Sequence, residues 1–254
     1  MTAYYNEIDP YAAQWLRNLI QEGHIAPGDV DERSIVDVRS ADLDGYAQCH
    51  FFAGIGAWSY AARLAGWPDE RPLWTGSCPC QPLSKAGKKL GAEDERYLWP
   101  VWRDLIRECR PDVVFGEQVA VGLGRVWIDE VSADLEQVDY ACGAVIAPAA
   151  GFGAEHVRDR LWFVAHPGDP GSSRSLSDGE SPPGLVRPEK LQCGDFGLSA
   201  RLFPGSDRTS VLPLDGSARR VDAVRAFGNA IVPQVAAEVI GAYLDAFEDK
   251  RAVA

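Results

Sequence analysis

Two hydrophobic periods alternate along this chain. Short apolar runs predict strands, and stretches with apolar side chains every three or four positions predict helices. Ala3-Tyr4-Tyr5-Asn6 reads as a strand that ends at Glu7-Ile8-Asp9-Pro10, with Pro10 suited to the first turn of a helix. Tyr11, Ala12, Trp15, Leu16, Leu19 and Ile20 then recur at helical spacing until Gly23. The polar stretch 26–38 reads as a loop containing a short strand or turn. Tyr46 to Phe52 predicts a strand that runs into Ala53-Gly54-Ile55-Gly56-Ala57-Trp58, and Tyr60, Ala61, Leu64 and Ala65 form a helical stripe ended by Gly66. Pro72-Leu73-Trp74 reads as a buried strand end, Tyr97 to Cys109 as a helix, and Asp112 to Gly116 as a strand of the near-continuous apolar kind found in parallel sheets. A helix follows over 127–138, then strands over 140–146 and 161–165 with a Gly-rich turn at 149–154 between them, and a last helix over about 234–247. Strands alternating with helices predict an α/β fold.

Chemistry collects at the strand ends. Glu7 sits at a strand tip before a helix, where an acid can take the two hydroxyls of a ribose, or where Glu7 or Asp9 can simply cap the helix. Strand, Gly54-x-Gly56 and helix is a layout that lets backbone approach a nucleotide-like ligand, though many α/β turns contain two glycines. His50 reads as a strand side chain. Glu117-Gln118-Val119 lies at a strand's carboxyl end, where open α/β sheets bind ligands. Arg158 and Arg160 point the same way if their segment is extended. The stretch Thr75-Gly76-Ser77-Cys78-Pro79-Cys80-Gln81-Pro82-Leu83-Ser84 is a loop following a strand. Its cysteines read equally as small buried hydrophobes or as a thiolate on a stiff backbone.

Composition narrows the class. A chain of 254 residues, 46% hydrophobic, can bury one sizeable core. The six cysteines are too scattered for a disulfide-stapled secreted domain, and Cys78-x-Cys80 has no second pair at zinc spacing, so no metal is expected. No apolar run is long enough to span a bilayer and the start of the chain is not a signal peptide, so a cytoplasmic protein is expected. The net charge of −12 argues against a nucleic-acid partner, except locally: Lys85, Lys88 and Lys89 follow the cysteine loop, and Arg219, Arg220 and Arg225 lie near the C-terminus. From 166 to 225 hydrophobics are sparse and Gly, Pro, Ser and Asp dominate, which predicts a loop-rich insert within a domain formed by 1–165 and 226–254.

Taken as a spaced set, these motifs resemble those of the DNA (cytosine-5) methyltransferases. Phe52-Ala53-Gly54-Ile55-Gly56 resembles the family's first cofactor motif, Glu7-Ile8-Asp9-Pro10 its second, and Pro79-Cys80-Gln81 its catalytic motif. Glu117-Gln118-Val119 stands where the family has Glu-Asn-Val, Arg158-x-Arg160 resembles its Arg-x-Arg motif, and Gly228-Asn229-Ala230-Ile231-Val232 its last. The second motif here precedes the first, an arrangement resembling phage and prophage members, which implies that the edge strands are threaded differently. Gln118 replaces the usual Asn, and His156 stands where Gln is usual.

The resemblance implies a Rossmann-like S-adenosylmethionine-dependent sheet with helices on both faces, S-adenosyl-L-methionine as cofactor, and double-stranded DNA as partner of a monomeric protein. Cys80 is then the nucleophile that adds to C6 of a flipped-out cytosine. Glu117 contacts N3 and the 4-amino group, and Arg160, supported by Arg158, holds O2. Phe52, Ala53, Gly54, Ile55 and Gly56 cradle the cofactor with Ile8. Glu7 takes its ribose, Asp31 (less surely Asp29) its adenine amino group, and Asn229 closes the site. Gln81, Ser84, Lys85, Lys88 and Lys89 contact the DNA. A catalytically inactive relative that binds DNA or a partner is the alternative, drawing on the net charge, Gln118, His156 and the short insert. A family member acting on transfer RNA, and a nicotinamide dehydrogenase using Gly54-x-Gly56, are weaker rivals; the latter leaves Cys80 and Glu117 unexplained.

Overall fold

The computed structural model describes residues 3–79, 97–120, 124–152, 158–168 and 230–252. Seven strands form one mixed sheet: β1 (Ala3–Asn6), β2 (Gly28–Asp31), β3 (Gln48–Phe51), β4 (Leu73–Gly76), β5 (Val114–Val119), β6 (Tyr140–Pro148) and β7 (Asp159–Pro167). Their spatial order is β2-β1-β3-β4-β5-β7-β6. The first five run parallel, and β7 is antiparallel to both β5 and β6. Among the described residues, five α-helices flank the sheet: α1 (Pro10–Gln21), α2 (Ala57–Leu64), α3 (Trp99–Cys109), α4 (Gly124–Glu136) and α5 (Pro233–Ala252).

Local chemistry sets the helix ends. Asp9 is the N-cap of α1, its Oδ1 accepting from the amides of Tyr11 at 2.9 Å and Ala12 at 3.2 Å. Beyond α1, Gly23 adopts φ 72° and His24 donates back to the Leu19 carbonyl, a left-handed termination that glycine makes cheap. The helices over 97–109 and 127–138 in the sequence reading run Trp99–Cys109 and Gly124–Glu136. The last two strands are longer than their apolar cores, because the β6–β7 ladder continues outward to Pro148 and Asp159.

The alternation of side chains along the strands divides the core. Tyr4, Cys49, Phe51, Trp74, Val114 and Phe163 face α3 and α4, where Trp99, Trp102 and Trp127 pack edge-on in a dense aromatic layer. Tyr5 and Ala3 face α1, while Leu73, Phe115 and Trp162 face α2 and α5. Within the sheet, His50 bonds Thr75 at 2.8 Å and Gln48 at 3.2 Å and stacks on Tyr5. Burial pushes its pKa down to about 3, so it is a neutral structural side chain.

The rearranged motif order leaves a topological mark. Helices α1 and α2 share a face, since the Ser59 hydroxyl of α2 meets the Tyr5 hydroxyl at 3.0 Å and Leu16 of α1 packs with Tyr5. Yet β1-α1-β2 steps toward one edge and β3-α2-β4 toward the other. The two crossovers therefore have opposite hands, and one of them departs from the nearly universal right-handed rule. The edge strands are threaded first, and β1 still lies beside β3.

Packing is tightest where the sheet approaches the site. A Cβ built on Gly116, the residue before Glu117, falls on the ring of buried Phe163, and one built on Gly76 comes within 2.7 Å of Trp102. Gly116→Ala is therefore expected to destabilise the fold by about 1–3 kcal/mol, as overpacking does. A chemical unfolding curve checks it, with a midpoint clearly below that of the wild type.

Candidate active site

The carboxyl ends of the central strands open into one cavity of about 450 Å3. Glu7, Ile8, Phe52, Ala53, Gly54, Ile55, Glu117, Arg158 and Arg160 all line it. Residues as far apart in the chain as Glu7 and Arg160 thus meet in one place because β1, β3, β4 and β5 are neighbours in the sheet and end on the same side.

At one end, Glu7 joins two strand tips. Its Oε1 accepts from the Asp9 amide at 2.9 Å and its Oε2 from the Gly54 amide at 2.7 Å. Asp9, not Glu7, caps α1, so Glu7 is left to face the cavity. Burial raises its pKa, and the backbone bonds from Asp9 and Gly54 pull it back only in part. The turn after β3 is held in left-handed backbone: Phe52 at φ 51°, Gly54 at 55° and Gly56 at 81°. For Phe52 that conformation costs about 1–2 kcal/mol. A Cβ on Gly54 would meet nothing within 4 Å, so this backbone is open to an occupant. Gly56 does not line the cavity; it begins α2 beneath Ile25, Leu16 and Leu19, 3.2 to 3.3 Å from where its Cβ would lie.

Asp31 lies apart from the cavity. Its carboxylate accepts from Tyr4 at 2.7 Å and from the Arg33 guanidinium at 2.7 to 3.1 Å, while Asp29 accepts from Tyr46 at 2.7 Å. Ser34 and Ile35, three and four residues beyond Asp31, line the wall instead. Asn6 ties that loop to the site: its amide donates to the Arg33 carbonyl at 2.9 Å, and its carbonyl accepts from the Ala53 amide at 3.0 Å. The sequence reading passed over Asn6, Ser34 and Ile35; the adjacency of Asn6 to Glu7 at a strand tip was the available signal.

At the other end, Glu117 is 7% exposed and Arg160 Nε donates to its Oε1 at 2.7 Å. The antiparallel register explains the pair. Arg160 lies opposite Val119, so Glu117 is its diagonal neighbour, within reach of a long side chain. Burial raises the Glu117 pKa against the pull of Arg160, Arg158 and the Ser77 and Arg160 hydrogen bonds. Arg158 donates to the Ala230 carbonyl at 2.9 Å. Gln118 donates to the Cys78 carbonyl at 3.3 Å and accepts from its own strand at Val119, which links β5 to the loop after β4. The Cys78 side chain is buried in the core that holds Trp74, and burial pushes its thiol pKa up. Pro79 lines the cavity. Cys80, Gln81, Ser84, Lys85, Lys88, Lys89, His156 and Asn229 lie outside the described residues.

The donors and acceptors fit S-adenosyl-L-methionine. A half-buried carboxylate at Glu7 suits a ribose diol, the open Gly54 backbone allows close approach, and Ile8 and Ile35 offer apolar walls for a flat ring. The sequence profile of the family described as C-5 cytosine-specific DNA methylase matches residues 2–183. The chain belongs to that family. The type II methyltransferase M.NgoMIV of Neisseria gonorrhoeae is 33% identical to this methylase-family chain over 162 residues, covering 63% of this chain and 42% of that protein. The type II methyltransferase M.AplI of Arthrospira platensis is 31% identical over 93 residues, 36% of this chain and 27% of its own. The matches thus span less than half the length of these curated relatives. Among solved structures, a putative DNA modification methyltransferase encoded within a prophage (E. coli) has a TM-score of 0.42 at 15% identity, over 65% of this chain and 40% of that one. Within the family's frame, Gln118 in place of the usual Asn still reaches the loop that leads to Cys80. Among the described residues, no helix is long and apolar enough to cross a membrane.

Proposed function

We propose that this chain transfers a methyl group from S-adenosyl-L-methionine to C5 of cytosine in double-stranded DNA, through a covalent bond between Cys80 and C6 of a flipped-out base. One observation carries the reading: the Glu117–Arg160 pair shares a single cavity with Glu7 and the Gly54 turn, and Pro79, which precedes Cys80, lines the same cavity. A cofactor subsite and a base subsite in contact are what methyl transfer between two bound molecules requires.

The chemistry follows from the groups. C5 of cytosine is a weak nucleophile, and bonding of the Cys80 thiolate to C6 turns the ring into an enamine with electron density at C5. Negative charge grows towards N3. Glu117, whose burial favours its protonated form, can donate a proton there. Arg160, already oriented by Glu117, can polarise O2. The cofactor, when bound, would supply an electrophilic methyl group for C5 and leave as S-adenosylhomocysteine. Loss of the C5 proton to a base, with expulsion of the Cys80 thiolate from C6 and return of the N3 proton to Glu117, then restores the aromatic ring and frees the enzyme. Glu7, Phe52 and the Gly54 backbone hold the cofactor; Ser84, Lys85, Lys88 and Lys89, with Gln81, hold the DNA from which the base is flipped. The protein works as a monomer in the cytoplasm, with 166–225 as the target-recognition insert.

DNA carrying 5-fluorocytosine tests this. Fluorine at C5 blocks the final elimination, so an active enzyme is expected to become covalently attached to the DNA in the presence of cofactor. Denaturing electrophoresis reads the adduct, and Cys80→Ala is expected to form none. Binding of the DNA without an adduct would instead identify a catalytically inactive relative.

A further inference from the structure

The two arginines of the Arg158-x-Arg160 segment do different things. Arg160 is engaged with Glu117. Arg158, two residues earlier, reaches across 72 positions of sequence to the backbone carbonyl of Ala230 at 2.9 Å. Ala230 and Ile231 form a wall of the cavity, just before α5 begins at Pro233. Ile231 is 6% exposed and belongs to the core around Trp58 and Trp162, so the wall is anchored from behind by packing. Its cavity side is held by the guanidinium. The Arg158 backbone is fixed as well, since its carbonyl accepts from the Ala149 amide at 3.2 Å beyond the end of the β6–β7 ladder.

We propose that Arg158 is a positioning residue that clasps the Ala230–Ile231 wall of the cavity and so sets cofactor affinity, while Arg160 serves the base. The proposal rests on the cofactor reading above. Burial and the neighbouring Arg160 lower the Arg158 pKa and Glu117 raises it, which accords with a guanidinium drawn into the site rather than left in solvent. A hydrogen bond from a charged donor to a carbonyl is worth enough that its loss weakens a dependent binding step by roughly ten- to a hundredfold.

The test uses the full chain and two readouts: affinity for S-adenosylhomocysteine by calorimetry, and the single-turnover methylation rate at saturating cofactor. R158M is expected to bind at least about tenfold more weakly, with a smaller fold-loss in the rate at saturating cofactor than in the affinity. R158K, whose ammonium can still donate to Ala230, should recover much of the affinity. R160M should show the reverse pattern, near-normal binding and a depressed rate. If R158M does not fold, R158Q carries the test, since its shorter neutral side chain is also expected to weaken binding. Wild-type affinity in the Arg158 variants, or a rate loss at saturating cofactor with unchanged binding, would overturn the clasp. Failure of the wild type itself to bind S-adenosylhomocysteine would overturn the cofactor reading on which the clasp depends.

Discussion

Cys80→Ala is expected to abolish methylation, by a factor on the order of 10^4 or more, while Cys78→Ala keeps most of it. The two thiols are separated by one proline, and the surroundings of Cys78 do not suit a nucleophile. Cys78 is 6% exposed and sits against the aromatic layer below the sheet. Burial pushes its thiol pKa up, so the thiolate that any attack requires is strongly disfavoured there. Its backbone is used instead, with its carbonyl accepting from Gln118. Truncating Cys78 removes one buried sulfur, which costs packing free energy of about 1–2 kcal/mol and leaves that backbone bond in place. Cys80 follows Pro79 in sequence, and Pro79, like Cys78, borders the cavity shared by Glu117 and Glu7. Removing its sulfur removes the only proposed bond to C6, and no hydrogen bond can substitute for it. Bisulfite sequencing of DNA from cells expressing each variant reads the difference. Equal loss in both would reverse the choice between the two cysteines.

The strand ends were legible because each lies within a short local pattern. Asp9-Pro10 before an amphipathic stripe marks the start of α1, and the apolar run before Glu117 marks β5 with its acid at the carboxyl end. What brings Glu7 to Gly54, 47 residues away, is the placement of β1 beside β3, and no local periodicity encodes it. The family's motif set pointed to a changed threading of the edge strands. It did not show that α1 and α2 would share a face while their strands step apart, because handedness is a property of the assembled sheet. Asp31 shows the limit more sharply. From sequence it is one acid among several near a short strand, and only three-dimensional placement reveals that Tyr4 and Arg33 occupy its carboxylate while Ser34 and Ile35 line the cavity. The β6–β7 boundaries were short for a related reason: ladder hydrogen bonds extend to Pro148 and Asp159, beyond the apolar residues that signalled the strands.

Glu117→Gln is expected to lower the single-turnover rate by about 10^2 to 10^4, the usual range for a lost general acid. The side chain keeps its size, so β5, Arg160 and the cavity should remain in place and cofactor binding should stay near that of the wild type. What changes is the proton. In the wild type, burial holds the Glu117 pKa above the ordinary carboxylate range even though Arg160 and Arg158 pull it down. The acid form is therefore retained to higher pH than in an exposed carboxyl group, and the rate should fall as pH rises through that elevated pKa. Glutamine cannot titrate, so this alkaline limb should vanish from the residual activity. Stability follows the same sign. A raised folded-state pKa means that the folded chain holds the proton more tightly than the unfolded one. The Glu117 contribution is fully present below the unfolded pKa and is lost as pH rises through the folded value. The difference in unfolding free energy between wild type and Glu117→Gln should accordingly shift in favour of the variant across that window and level off above it. Rate and denaturation profiles measured over the same pH range check both parts together. A variant with wild-type rates, or one that keeps the alkaline limb, would assign the proton at N3 to another group.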